Sequence, residues 1–81
     1  MPKLKVLSGG KVVKILLSFN FVMVAQKGSH IKLARILSAG DRQTLTIPNH
    51  QELDRGTLMA IYRQAIRYIP ENELKNYFYA E

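Results

Sequence analysis

The run Gln26-Lys27-Gly28-Ser29-His30-Ile31-Lys32-Leu33 sets one histidine and two lysines around a glycine turn. Histidine is the one side chain whose unperturbed pKa lets it both take and give a proton near neutral pH, and neighbouring ammonium groups can hold and polarise a phosphate. A phosphodiester is therefore the substrate that these residue types suit. A lone histidine beside a Gly-Ser turn is more often a plain surface residue than a catalyst. What distinguishes the two is whether the elements around it hold His30 and the lysines on one open face.

Those elements can be read from periodicity and turn chemistry. Ser8 is a good N-cap, after which Val12, Ile15, Leu16 and Phe19 recur at i, i+3, i+4 and i+7, while Lys11, Lys14 and Ser18 fall on the opposite face. An amphipathic helix over about residues 9–19 is expected. Asn20 tolerates the left-handed conformation that often ends a helix, and Phe21 to Ala25 is rich in strand formers. Lys27-Gly28-Ser29 then reads as a hairpin connection into a second strand from His30 to Leu37. A turn at Ser38-Ala39-Gly40-Asp41 leads to a third strand from Gln43 to Ile47, ended by Pro48. Such short connections imply an antiparallel meander.

Alternation in the second strand places His30, Lys32, Ala34 and Ile36 on one face, with Ile31, Leu33, Arg35 and Leu37 on the other. In the third strand Leu45 and Ile47 oppose Thr44 and Thr46. One face of the sheet can therefore be apolar and covered by helices, leaving His30 and Lys32 on the open face. Asp54 can cap a second helix whose buried stripe is Leu58, Ile61, Tyr62, Ala65 and Ile66. Pro70 suits the first turn of a short third helix reaching about Tyr79, with Leu74, Tyr77 and Phe78 turned inward.

Composition narrows the chemistry. Eighty-one residues make a single domain with one small core. Cysteine is absent, and two histidines without a carboxylate cluster make a poor metal constellation, so no metal and no cofactor are expected. The most apolar stretch, Ile15 to Ala25, is broken by Ser18 and Asn20, and the opening Met1-Pro2-Lys3-Leu4-Lys5-Val6 lacks the apolar run of a leader. A soluble, cytoplasmic protein with no membrane partner is the expectation, a monomer when free. The net charge of +6 is uneven: residues 1–50 hold eight Lys and Arg against Asp41 alone, whereas residues 51–81 hold four against five acids. The basic half contains His30, which points to a polyanionic partner, nucleic acid first.

With the order helix, three strands, helix, and with Gly28-Ser29-His30-x-Lys32 opening the second strand, the chain resembles the HicA, or YcfA-like, family of toxins. The resemblance covers about residues 4–69. It rests on Leu7-Ser8-Gly9 with Val12-Val13-Lys14-Ile15-Leu16, then Phe21, Gln26-Lys27-Gly28-Ser29-His30, Thr46-Ile47-Pro48-Asn49-His50, Gly56-Thr57-Leu58 and Ile61-Tyr62-Arg63-Gln64-Ala65. It implies an α+β fold similar to double-stranded-RNA-binding domains, and a messenger-RNA interferase silenced by a cognate HicB antitoxin. It places His30 at the family's catalytic position, with Lys27, Gly28, Ser29 and Lys32 on the RNA. In the family a histidine often follows the proline that ends the third strand, and Pro48-Asn49-His50 keeps that pattern. For His50 a local hydrogen bond near the second helix is expected ahead of proton transfer. The chain departs from the family's pattern at Asn20, Ala25 and Ile66, and in the aromatic tail after Tyr68.

RNA carries its own nucleophile, the 2′-hydroxyl, so a metal-independent ribonuclease needs only a base, a cation for the crowded phosphorane and an acid for the leaving oxygen. Two other classes compete with that reading. One is a non-catalytic module that docks on double-stranded RNA by shape and phosphate contacts. The other is an interaction protein anchored to a polypeptide by Tyr62, Tyr77 and Tyr79.

Overall fold

The computed structural model describes residues 2–81, so that Met1 of the opening segment lies outside the described residues. Elements follow in the order β1 (Lys3–Leu4), α1 (Gly9–Leu17), β2 (Val22–Lys27), β3 (His30–Ile36), β4 (Arg42–Pro48), α2 (Arg55–Ala65), α3 (Glu71–Phe78) and β5 (Tyr79–Ala80). Strands β2, β3 and β4 form the expected antiparallel meander in spatial order β2-β3-β4. The fold is α+β, with helices on one side of that sheet.

Local chemistry explains most of the boundaries. Ser8 caps α1 by accepting from the Lys11 amide at 3.0 Å. The helix closes at Leu17, two residues before the expected end, and Asn20 then takes φ 73° to turn the chain into β2. Asp54 stands at the N-cap of α2 without making a side-chain cap bond. Ile66, one of the departures from the resembled pattern, keeps a right-handed helical conformation (φ −72°), so that position requires no glycine here.

The core gathers Val12 and Leu16 of α1, Ile31 and Leu33 of β3, Leu45 and Ile47 of β4 and Leu58, Ile61 and Ala65 of α2. The tail after Tyr68 belongs to it. Leu74 and Phe78 of α3 are fully buried, and β5 pairs with β1 in a second small sheet, Lys3 opposite Ala80. Two expectations need correction here. Tyr77 is exposed and meets Phe19 edge-on instead of turning inward. Tyr62 is buried between Phe78 and Tyr79, and its hydroxyl donates to Glu71 at 2.8 Å, so it is a core residue and no anchor for a partner. Burial, then the bond to Glu71 and its negative charge, push the Tyr62 hydroxyl well above the ordinary tyrosine range. Ala34 lies on the open face by alternation yet is only 3% exposed, because its small side chain sits between Val22 and Thr44 on the flanking strands.

Arg35 corrects the reading of the charge. Counted with the basic half, it turns toward the helix side of the sheet. Its Nε donates to Gln43 Oε1 (2.9 Å), Nη1 to the Phe19 carbonyl (2.9 Å) and Nη2 to the Tyr68 carbonyl (2.7 Å). The guanidinium also lies 4.8 Å from the centroid of the Phe21 ring. It satisfies the carbonyls that follow α1 and α2 and ties both helices to β3, and is therefore not offered to a polyanion.

Candidate active site on the open sheet face

The register of the sheet builds the site row by row. Lys27, His30 and Pro48 lie side by side across β2, β3 and β4; Ala25, Lys32 and Thr46 form the next row; Val22, Ala34 and Thr44 the third; Ile36 and Arg42 the fourth. All of these belong to the face away from the helices, because the residues between them on β3 and β4, Ile31, Leu33, Leu45 and Ile47, are buried beneath. His30, Lys27 and Lys32 are exposed, so the three chemistry-bearing side chains named from the sequence share one open surface.

Two local features create that coincidence. Gly28 adopts φ 59° at the first of two turn positions, the pattern of a II′ hairpin turn, which makes Lys27 and His30 directly opposed neighbours. A bulge between Met23 and Ala25 shifts the register of β2 by one residue, so Ala25 and Lys27 come to the same side as Val22. Strict alternation from Val22 would have sent Lys27 to the other side.

The turn is held from behind as well. The Asn49 amide donates to the Ser29 carbonyl, extending the β3–β4 ladder past His30. The Gly9 amide donates to the His50 carbonyl at 2.9 Å, so the start of α1 abuts the end of β4. A Cβ built on Gly9 would overlap the Pro48 carbonyl and lie 2.9 Å from Asn49 Cα. Only glycine permits that approach. Ser29 thus acts through its backbone, fixing the turn. His50 also acts through its backbone, and its contact is with the first helix, not the second; its imidazole is exposed.

The surroundings are open and polar. Thr44 and Thr46 are exposed beside Lys32, and Arg42 is exposed at the far end of β4. These three were missed by sequence reasoning, although the alternation of β4 already set both threonines opposite Leu45 and Ile47. Among the described residues no three His, Asp or Glu side chains gather as a metal site. No helix among them is long and apolar enough to cross a membrane.

No curated protein and no solved structure matches the chain. A family model described as the HicA toxin of bacterial toxin-antitoxin systems matches residues 9–66, from the glycine that opens α1 to the C-cap of α2, and so spans the sheet that carries His30. The chain belongs to the HicA toxin family of bacterial toxin-antitoxin systems.

Proposed function

We propose that this toxin is a metal-independent endoribonuclease, an mRNA interferase that arrests translation and growth by cutting messenger RNA at a site centred on His30. The observation that carries this reading is the row Lys27–His30 with Lys32 beside it on an exposed sheet face. His30 takes the proton from a ribose 2′-hydroxyl as its oxygen attacks the adjacent phosphorus. Lys27 and Lys32 hold the phosphoryl oxygens as negative charge builds on the phosphorane. The P–O5′ bond then breaks and the departing 5′-oxygen takes a proton, from the imidazolium or from water. Gly28 and Ser29 shape the turn that brings the phosphate close to the backbone. His50 stands apart from proton transfer.

This chemistry leaves a 2′,3′-cyclic phosphate on one fragment and a 5′-hydroxyl on the other, and requires no divalent ion. Incubating the purified chain with messenger RNA in excess EDTA should therefore give cleavage at essentially the rate seen without chelator, with those two end groups. A large loss restored by magnesium or manganese, or fragments ending in a 5′-phosphate, would place the chemistry on carboxylates elsewhere and remove His30 from its centre.

A HicB-type antitoxin is the partner that this reading implies. The exposed lysines around His30 have no acid among their neighbours in the sheet, so an acidic partner gains most by covering this face. Titrating such a partner into the toxin should protect His30 from diethyl pyrocarbonate in step with the loss of cleavage. Complete inhibition with His30 still reactive would mean a remote mechanism, through a surface such as α3.

A further inference from the structure

The open face does not end at the histidine. Six steps along β3 lead from His30 to Ile36, about 20 Å at the usual strand rise, and the same face continues over that length with Lys32, Thr46, Thr44 and Arg42. Polar and cationic side chains hold the β4 side of this strip. On the β2 and β3 side lie Val22, 56% exposed, and Ile36, 69% exposed, with Ala34 flat between them. The nearby acid, Asp41, lies in the turn before β4, where its carbonyl accepts from the Leu37 amide. Lys11 and Lys14 are on α1, behind the sheet, and Arg35 is engaged inside, so the cations available to a ligand of this face are Lys27, Lys32 and Arg42.

We propose that this face is a track for single-stranded RNA several nucleotides long, in which Arg42, Thr44 and Thr46 bind the strand beyond the His30 row. The proposal rests on the ribonuclease reading for the place of the scissile phosphate, and extends it to where the rest of the strand lies. A single line of cations matches one phosphate backbone, whereas a duplex presents two backbones across a groove. Attack by a 2′-oxygen in line with the departing 5′-oxygen also needs a nucleotide freed from the A-form helix. Hydroxyls at Thr44 and Thr46 can pair with ribose 2′-hydroxyls or phosphate. Bases can rest on Val22 and Ile36, and the Arg42 guanidinium can stack on one or bind a phosphate. No aromatic ring takes part in these rows, so base preference along the track should be shallow.

The test uses the full chain carrying His30→Ala, so that RNA survives the measurement, and reads the anisotropy of labelled hexauridylate and of a labelled dinucleotide. Adding Arg42→Ala should weaken hexauridylate binding about fivefold and lower its salt slope by roughly one phosphate contact, leaving the dinucleotide unchanged. Thr46→Val, close to isosteric, should weaken the RNA more than the matching deoxy-oligomer. Hexauridylate that does not bind, or that binds equally well with Arg42→Ala, overturns the track. A hairpin stem that competes better than the single strand overturns it in favour of duplex docking. Failure of the ribonuclease reading is seen elsewhere, in a parent chain that does not cut RNA although the Arg42 dependence of binding holds. A parent that cuts RNA while binding is indifferent to Arg42 removes the track alone.

Discussion

Replacing His30 by alanine should lower the rate of RNA cleavage by about 10² to 10⁴, the range typical for loss of a general acid or base. Toxicity on expression should fall with it. The imidazole is exposed at the start of β3 and no buried group depends on it, so the thermal midpoint should stay close to that of the parent. That separation of activity from stability is the diagnostic part. RNA affinity should change little, because the proposed mechanism gives the phosphate to Lys27 and Lys32, and the salt slope of binding should be nearly the same. Purified His30→Ala protein that cuts RNA as fast as the parent would make the histidine a bystander and place the chemistry on other groups, whereas a parent chain that binds RNA without cutting it would be better described as a double-stranded-RNA-binding module.

Gly9→Ala should have the opposite profile. A methyl group at this position overlaps the Pro48 carbonyl and crowds Asn49 Cα at 2.9 Å and the Pro48 carbonyl carbon at 3.0 Å, all of them backbone atoms that cannot rotate aside. Either α1 lifts from the end of β4, breaking the bond from the Gly9 amide to the His50 carbonyl, or the strand end moves. We expect a cost of about 3 kcal/mol, at the upper end of ordinary overpacking because nothing flexible can give way. Urea unfolding reads it directly. Pro48 pairs with His30 and Asn49 bonds to Ser29, so the surviving folded fraction should also cleave RNA more slowly. Gly10→Ala, one residue on, meets only the Ser8 hydroxyl oxygen at 3.9 Å and is the control. Equal stability for the two variants would mean that the start of α1 is free to shift, and that its contact with β4 does not hold the turn.

The residues that carry the fold were readable where the physics is local. Val12 and Leu16 repeat at helical spacing because one side of a cylinder meets the core, and Ser8 starts the helix because its hydroxyl accepts from an amide that would otherwise be orphaned. Gly28 and Asn20 mark turns because they tolerate positive φ. Alternation in β3 was sufficient to set His30 and Lys32 outward against Ile31 and Leu33. The family resemblance was likewise a matter of residue order and spacing, and the family match falls on the same stretch.

What the sequence by itself determined is thus the three helices, the three strands of the meander and the chemistry available on the open face, since those follow from covalent geometry and from how each side chain partitions between water and a core; the β1–β5 pair and the outward turn of Tyr77 were not among them. Tertiary structure alone decided which distant groups meet. It made Arg35 an internal tie between the carbonyls after α1 and α2, put Tyr62 under α3, required a glycine at residue 9, gave His50 a backbone role at α1, and through the Met23–Ala25 bulge brought Lys27 to the side of His30. Each of these depends on atoms that another segment delivers to one point in space, and no local periodicity encodes that delivery.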